Sequence, residues 1–230
     1  MIIDCISDLH GHYPQLEGGD LLIVAGDLTA TDSVEDYNDF SDWLCIQKYR
    51  SKIFIGGNHD NHLQKTPILY TGVLGCDYLC DSGTEFEYEE EETKWGMRSI
   101  KKCLKIWGSP WTLKFKGENP KAMAFTCDTE EELAEKFAMI PDDIDILVTH
   151  SPAQGALDEI EYYSIGQIVN VGSESLIKPM IKSGCRLHIF GHIHEGYGKF
   201  YNPINGITYI NASYVNERYE PVNKPIRIIL

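Results

Sequence analysis

Five short motifs of ligand-bearing side chains punctuate the chain: Asp8-Leu9-His10, Gly26-Asp27, Gly56-Gly57-Asn58-His59-Asp60, Thr149-His150 and Gly191-His192-Ile193-His194. Carboxylate, carboxamide and imidazole groups hold divalent transition metals, and Asp8, His10, Asp27, Asn58, His150, His192 and His194 offer seven such donors. That supply matches a hydrolytic site built on two metal ions. Mixed nitrogen and oxygen ligation suits manganese, iron or zinc and suits calcium poorly. The predicted cofactor is a pair of divalent transition-metal ions, manganese first.

The spacings bear on how the donors meet. Asp8 and His10 are two residues apart, so an extended backbone would point both side chains to one side. Gly26 lets a backbone approach closely beside Asp27, whose two oxygens could serve two cations. His192 and His194 repeat the two-residue spacing. Asn58 and His59 are neighbours, and neighbouring extended residues point oppositely, so His59 is placed to meet substrate and to protonate a leaving oxygen. Asp60 has two readings, orienting the His59 imidazole or capping the next turn. His12, His62 and His188 fall outside the motifs and are left out of the metal set.

Charge favours a phosphorylated ligand. Two divalent ions opposed by Asp8, Asp27 and a hydroxide leave the site at about +1. The whole chain carries −15, with a pI near 4.9. Long nucleic acid selects basic stripes, and Lys101-Lys102 is the one adjacent basic pair. The expected partner is therefore a small phosphorylated molecule, not a polymer. No run approaches the roughly 20 apolar residues of a membrane span. The seven cysteines lack a paired spacing, which fits reduced thiols in a cytoplasmic protein.

Each motif follows an apolar run that reads as a strand covered on both faces: 2–6, 20–25, 52–55, 144–148 and 186–190. Residues 85–88, 105–107, 208–211 and 226–230 read as further strands. Ser33 opens a helix to about Tyr49. Thr129-Glu130-Glu131-Glu132 has the form of a capping box, and residues 173–183 make a third helix, with Pro179 kinking or shortening it. Residues 87–92 are acidic except for Tyr88 and read as a solvated hairpin tip. Ligands at the C-terminal ends of strands match where open α/β sheets place sites. The expected fold is α/β, a four-layer α/β/β/α sandwich of two mixed sheets flanked by helices, in one domain over residues 1–230.

In that order the motifs resemble the calcineurin-like metallophosphoesterase superfamily. The flanks Gly19-Asp20-Leu21-Leu22, Trp107-Gly108-Ser109-Pro110-Trp111-Thr112, residues 191–198 and Tyr209-Ile210-Asn211-Ala212-Ser213 are similar to its small metallophosphoesterase-domain-containing (MPPED) branch. That branch is grouped with class III cyclic-nucleotide phosphodiesterases. The resemblance implies one metal held by Asp8, His10, Asp27 and His194, and a second by Asp27, Asn58, His150 and His192. It also implies that His59 contacts the phosphate and that a hydroxide bridging the metals attacks phosphorus. His192, lost in some vertebrate members of the branch, is present here, so ordinary activity is expected.

The expectation is thus a phosphodiesterase of small nucleotides, cyclic ones included. A phosphomonoesterase or protein phosphatase uses the same ligands, and a nucleotide-binding scaffold with a vestigial site is the non-enzymatic alternative. Trp111 is a candidate to stack on a nucleobase, with core packing as the alternative for it; Asn58 and His59 also contact substrate, with His12 and Tyr197 at the rim.

Overall fold

The computed structural model describes residues 1–67, 76–92, 98–114, 122–162 and 166–230. The first part of the chain forms strands β1 (Ile2–Ile6), β2 (Gly19–Ala25), β3 (Tyr49–Ile55) and β4 (Cys76–Tyr78), with helices α1 (Val34–Ile46) and α2 (Asn61–Lys65) between them. A long pair follows, β5 (Ser82–Glu92) and β6 (Arg98–Ser109), then the short β7 (Thr112–Leu113) and β8 (Thr126–Cys127). Helix α3 (Glu130–Phe137) precedes β9 (Ile146–Thr149), β10 (Glu159–Tyr162), β11 (Gln167–Asn170) and α4 (Ile177–Ser183). The chain closes with β12 (Leu187–Phe190), β13 (Gly198–Asn202), β14 (Ile207–Asn211) and β15 (Ile226–Ile229).

Two mixed sheets result, ordered β15-β1-β2-β3-β4 and β13-β14-β12-β9-β6-β5. Strand alternation explains why they stack. In β2, Leu21, Ile23 and Ala25 pack inward with Ile146 and Val148 of β9 and Ile189 of β12. Leu22 and Val24 turn outward onto Tyr37, Phe40, Trp43 and Leu44 of α1. On the far side, Leu147 and Phe190 meet Leu133 and Phe137 of α3 and Met180 of α4. Each fully buried apolar side chain contributes about 1.5–3 kcal/mol, and these strands are buried on both faces. The predicted four-layer α/β/β/α sandwich is what forms. No helix among the described residues is long and apolar enough to cross a membrane.

Local differences have physical causes. Ser33 caps α1 with a reciprocal Asp36 capping box, but the helix ends at Ile46 because Tyr49 already enters β3. Thr129 Oγ1 accepts from the Glu132 N–H at 3.3 Å, while the Glu132 carboxylate accepts from Asp128 instead of the cap residue. Helix α4 starts only at Ile177, which puts Pro179 in its first turn, where a missing N–H is tolerated. Residues 87–92 are not a hairpin tip: β5 and β6 pair from Ser82↔Gly108 to Glu92↔Arg98, and the intervening 93–97 lie outside the described residues. The acidic run is an edge strand of its sheet. Charge there discourages pairing with another chain. Ser99 donates to Glu89 and Lys102 pairs with Glu90 across the ladder.

Parallel pairing of β1, β2 and β3, and of β9 and β12, sends their C-terminal ends to one edge in each sheet. There the sheets are joined: the Ser7 N–H donates to Ala212 O at 2.8 Å, and Ser7 bridges Ser213.

Candidate metal centre

Every motif lies at or just past one of those strand ends. The donors gather in three overlapping groups: Asp8 with His10 and His194, His10 with Asp27 and His59, and Asp27 with His150 and His192. Within each group the ligand atoms lie within 4.8 Å of one another. Asp8, His10, Asp27 and His150 are buried. Asn58 joins through its carboxamide oxygen, 2.9 Å from His150 Nε2.

The backbone reaches this arrangement by a route that spacing does not reveal. Asp8, His10, Asp27 and His192 sit at φ of 51°, 41°, 52° and 70°. The left-handed region is uncommon for such residues and clusters at functional sites. Asp8 and His10 therefore do not share a face of an extended segment; a bend brings them together. It is held by Asp8 N–H donating to Gly26 O and His10 N–H donating to Asp27 O, both at 3.0 Å. Likewise His192 and His194 part company, one joining Asp27 and His150 and the other Asp8 and His10. Gly191 is required beside them, since a Cβ there would lie 2.1 Å from Asp8 Oδ2.

Hydrogen bonds aim the imidazoles. His150 Nδ1 donates to Ala25 O at 2.9 Å and His194 Nδ1 to Asn216 O at 3.0 Å. Each leaves Nε2 facing a carboxylate: His150 is 3.4 Å from Asp27 Oδ2, and His194 is 3.5 Å from Asp8 Oδ1. Backbone carbonyls that fix the tautomer in this way are the usual outer support of metal-bound histidine. His10 Nε2 is buried without a hydrogen-bond partner, 3.6 Å from Asp27 Oδ2. A buried nitrogen left bare beside two buried carboxylates fits a cation. His192 Nε2 lies 3.2 Å from Thr112 Oγ1.

Electrostatics agree. Burial alone would raise the Asp8 carboxyl, but His194 and His150 outweigh it and hold Asp8 below the usual range. Asp27 is likewise held low against burial, chiefly by His150 and His59. Burial would depress His150, yet Asp27 carries it up to about 9. Burial pushes His10 down to about 4 and His192 to about 3. The carboxylates stay charged and draw positive charge to themselves.

The remaining predicted residues fare unevenly. The His59 N–H donates to Asp27 Oδ1 at 2.9 Å, and its half-buried ring stands edge-on to His10 at 4.8 Å. Asp60 neither orients His59 nor caps α2 through its side chain. Its buried carboxylate accepts from Gly57 N–H at 2.7 Å, Leu28 N–H at 3.1 Å and the Tyr37 hydroxyl at 3.2 Å. It thereby ties the Asn58 loop to the Asp27 loop. Burial and the Asp27 charge push its pKa up to about 8. Its bonds to Gly57 and Leu28 give it a positioning place between the two loops.

Trp111 is held by packing and a hydrogen bond. Its Nε1 donates to Asp81 Oδ2 at 2.6 Å, Lys136 Nζ lies 3.9 Å above the ring, and Phe125 meets it edge-on. Tyr197 donates to Lys224 O, and His12 is bonded to Tyr219 O at 3.2 Å. His188 is a core residue between Phe190 and Tyr209, with Nε2 2.8 Å from Thr149 Oγ1.

Two contributors escaped sequence reasoning. Ser213 Oγ donates to Asp8 Oδ2 at 2.8 Å; its Asn211-Ala212-Ser213 segment was noticed only as a flank. Tyr219 packs its ring against His10, His194 and His59 at 4.7, 5.4 and 6.1 Å. Nothing in the sequence around it signals a site.

Comparison with known proteins gives one consistent result. The sequence model described as calcineurin-like phosphoesterase matches residues 1–196. Metallophosphoesterase domain-containing protein 1 of Homo sapiens is 34% identical, the match covering 98% of this chain and 70% of that protein. The Mus musculus protein of the same name gives the same figures. A probable rhamnogalacturonate lyase C of Emericella nidulans is 34% identical over 85% of this chain, but that match covers 17% of the lyase.

Proposed function

The chain belongs to the calcineurin-like phosphoesterase family, and on that premise we propose that it is a two-metal phosphodiesterase of small phosphorylated molecules, nucleotides foremost. Family membership supports metal-dependent phosphoester hydrolysis. The observation that carries the finer reading is the sharing of donors, with Asp27 belonging to two of the three groups. On this reading Asp8, His10, Asp27 and His194 hold one ion, and Asp27, Asn58, His150 and His192 hold the other, with manganese first by ligand type. Divalent ions bound there would supply Lewis-acid chemistry, neutralising phosphoryl charge and lowering the pKa of water so that hydroxide is available as nucleophile.

The chain's own residues do the rest. His59, beside His10 and tied through its backbone to Asp27, gives a proton to the departing ester oxygen. Asp60 keeps the Asn58 and Asp27 loops in register, and Ser213 holds the Asp8 carboxylate. Burial of these groups excludes the competing water that would weaken them. The net charge of −15 favours a compact substrate drawn to a local positive centre over a nucleic-acid track. Seven free cysteines support placing the protein in the reducing cytoplasm.

Manganese-loaded protein should hydrolyse bis-p-nitrophenyl phosphate with a higher kcat/KM than p-nitrophenyl phosphate. A screen of cyclic and linear nucleotides should then find its best substrate among diesters. Strong preference for the monoester across the panel would replace this reading with a phosphomonoesterase.

A further inference from the structure

We infer that Tyr219 forms the wall of the site against which the organic group of the phosphoester lies, giving preference to esters that carry a flat ring. The inference rests on the proposed phosphoesterase reading and adds a substrate contact to it. Of the described aromatic side chains, Tyr219 is the tyrosine that packs on the site's histidines. It touches His10, His194 and His59, and so stands over members of two of the donor groups. It is also 48% exposed. One side of the residue is thus anchored on the centre that would hold the phosphate while the rest faces outward, where an ester's substituent must pass.

The backbone is built to keep it there. Tyr219 adopts φ 61°, a conformation that is an outlier for a bulky side chain. Asn216 holds the turn: its Oδ1 accepts from the N–H groups of Arg218 and Glu220, and its carbonyl accepts from Tyr219 N–H. The same Asn216 carbonyl accepts from His194 Nδ1, so the turn that sets Tyr219 also aims a candidate metal ligand. Aromatic rings so placed favour other rings through stacked or edge-to-face contact. Trp111 is unsuited to this role, being covered by Lys136 and bonded to Asp81.

Calorimetric titration of the manganese-loaded full chain tests this without turnover, using inorganic phosphate, methylphosphonate and phenylphosphonate. Tyr219→Asn removes the ring but tolerates the positive φ, and Tyr219→Phe keeps the ring. The wild type and Tyr219→Phe should bind phenylphosphonate about tenfold more tightly than methylphosphonate, and Tyr219→Asn should lose most of that ratio. An unchanged ratio in Tyr219→Asn would overturn the inference, as would equal losses for both phosphonates. If wild-type protein bound none of the three, inorganic phosphate included, the phosphoesterase reading beneath it would fall as well.

Discussion

Asp27→Asn is expected to lower kcat for phosphodiester hydrolysis by at least about a thousandfold, a loss on the order of 4 kcal/mol in transition-state stabilisation. Asparagine keeps the shape, and its oxygen still accepts the 2.9 Å bond from the His59 N–H, so the Asn58 loop should stay in place. What disappears is the charge. Asp27 is the carboxylate shared by the His10 and His150 groups, and a neutral amide oxygen cannot offset two dications. Manganese content should fall together with activity while circular dichroism is unchanged. Near-wild-type turnover in the folded variant would remove Asp27 from the centre of the mechanism.

His59→Ala should have the second largest effect. A positioned general acid contributes about 10²–10⁴-fold, and the contribution scales with how much the leaving oxygen needs a proton. Nucleotide diesters release a poorly stabilised alkoxide as leaving group, and their hydrolysis should lose about a thousandfold in kcat. A nitrophenyl ester, whose leaving group departs readily as an anion, should lose far less. The His59 ring also lies in a donor group with His10 and Asp27, so manganese should be counted in the same preparation. Equal losses on both substrates accompanied by lost manganese would make His59 a metal ligand instead of an acid.

Much of this centre was legible because strand ends and metal ligands leave strong local marks. A short apolar run ending in glycine marked where Asp27, Asn58 and His192 would stand, and the run ending at Thr149 marked His150. The unbroken apolar run Leu21-Leu22-Ile23-Val24 correctly implied layers on both faces. Conformation was not legible. Asp8 and His10 seemed to need an extended backbone, whereas both adopt left-handed φ values, with their N–H groups bonded to Gly26 and Asp27. Those bonds join segments far apart in sequence.

The partners of several side chains come from elements that spacing along the chain does not reveal. Asp60 lies next to His59, but its partners Leu28 and Tyr37 come from a different loop and helix. Trp111 follows a proline after a strand end, which says nothing of Lys136 arriving from α3 to cover it. Tyr219 lies beyond the last motif, in a turn whose importance comes from one carbonyl contact to His194. The acidic 87–92 run was read by composition as a tip, and pairing with β6 makes it an edge strand.

Anomalous diffraction from manganese-soaked crystals, recorded on either side of the manganese absorption edge, bears most directly on the two-metal claim. Two peaks should flank Asp27, about 3.5–4 Å apart as in two-metal hydrolases. One should lie beside Asp8, His10 and His194, and the other beside Asn58, His150 and His192. A single peak, or none at this edge of the sheets, would contradict it.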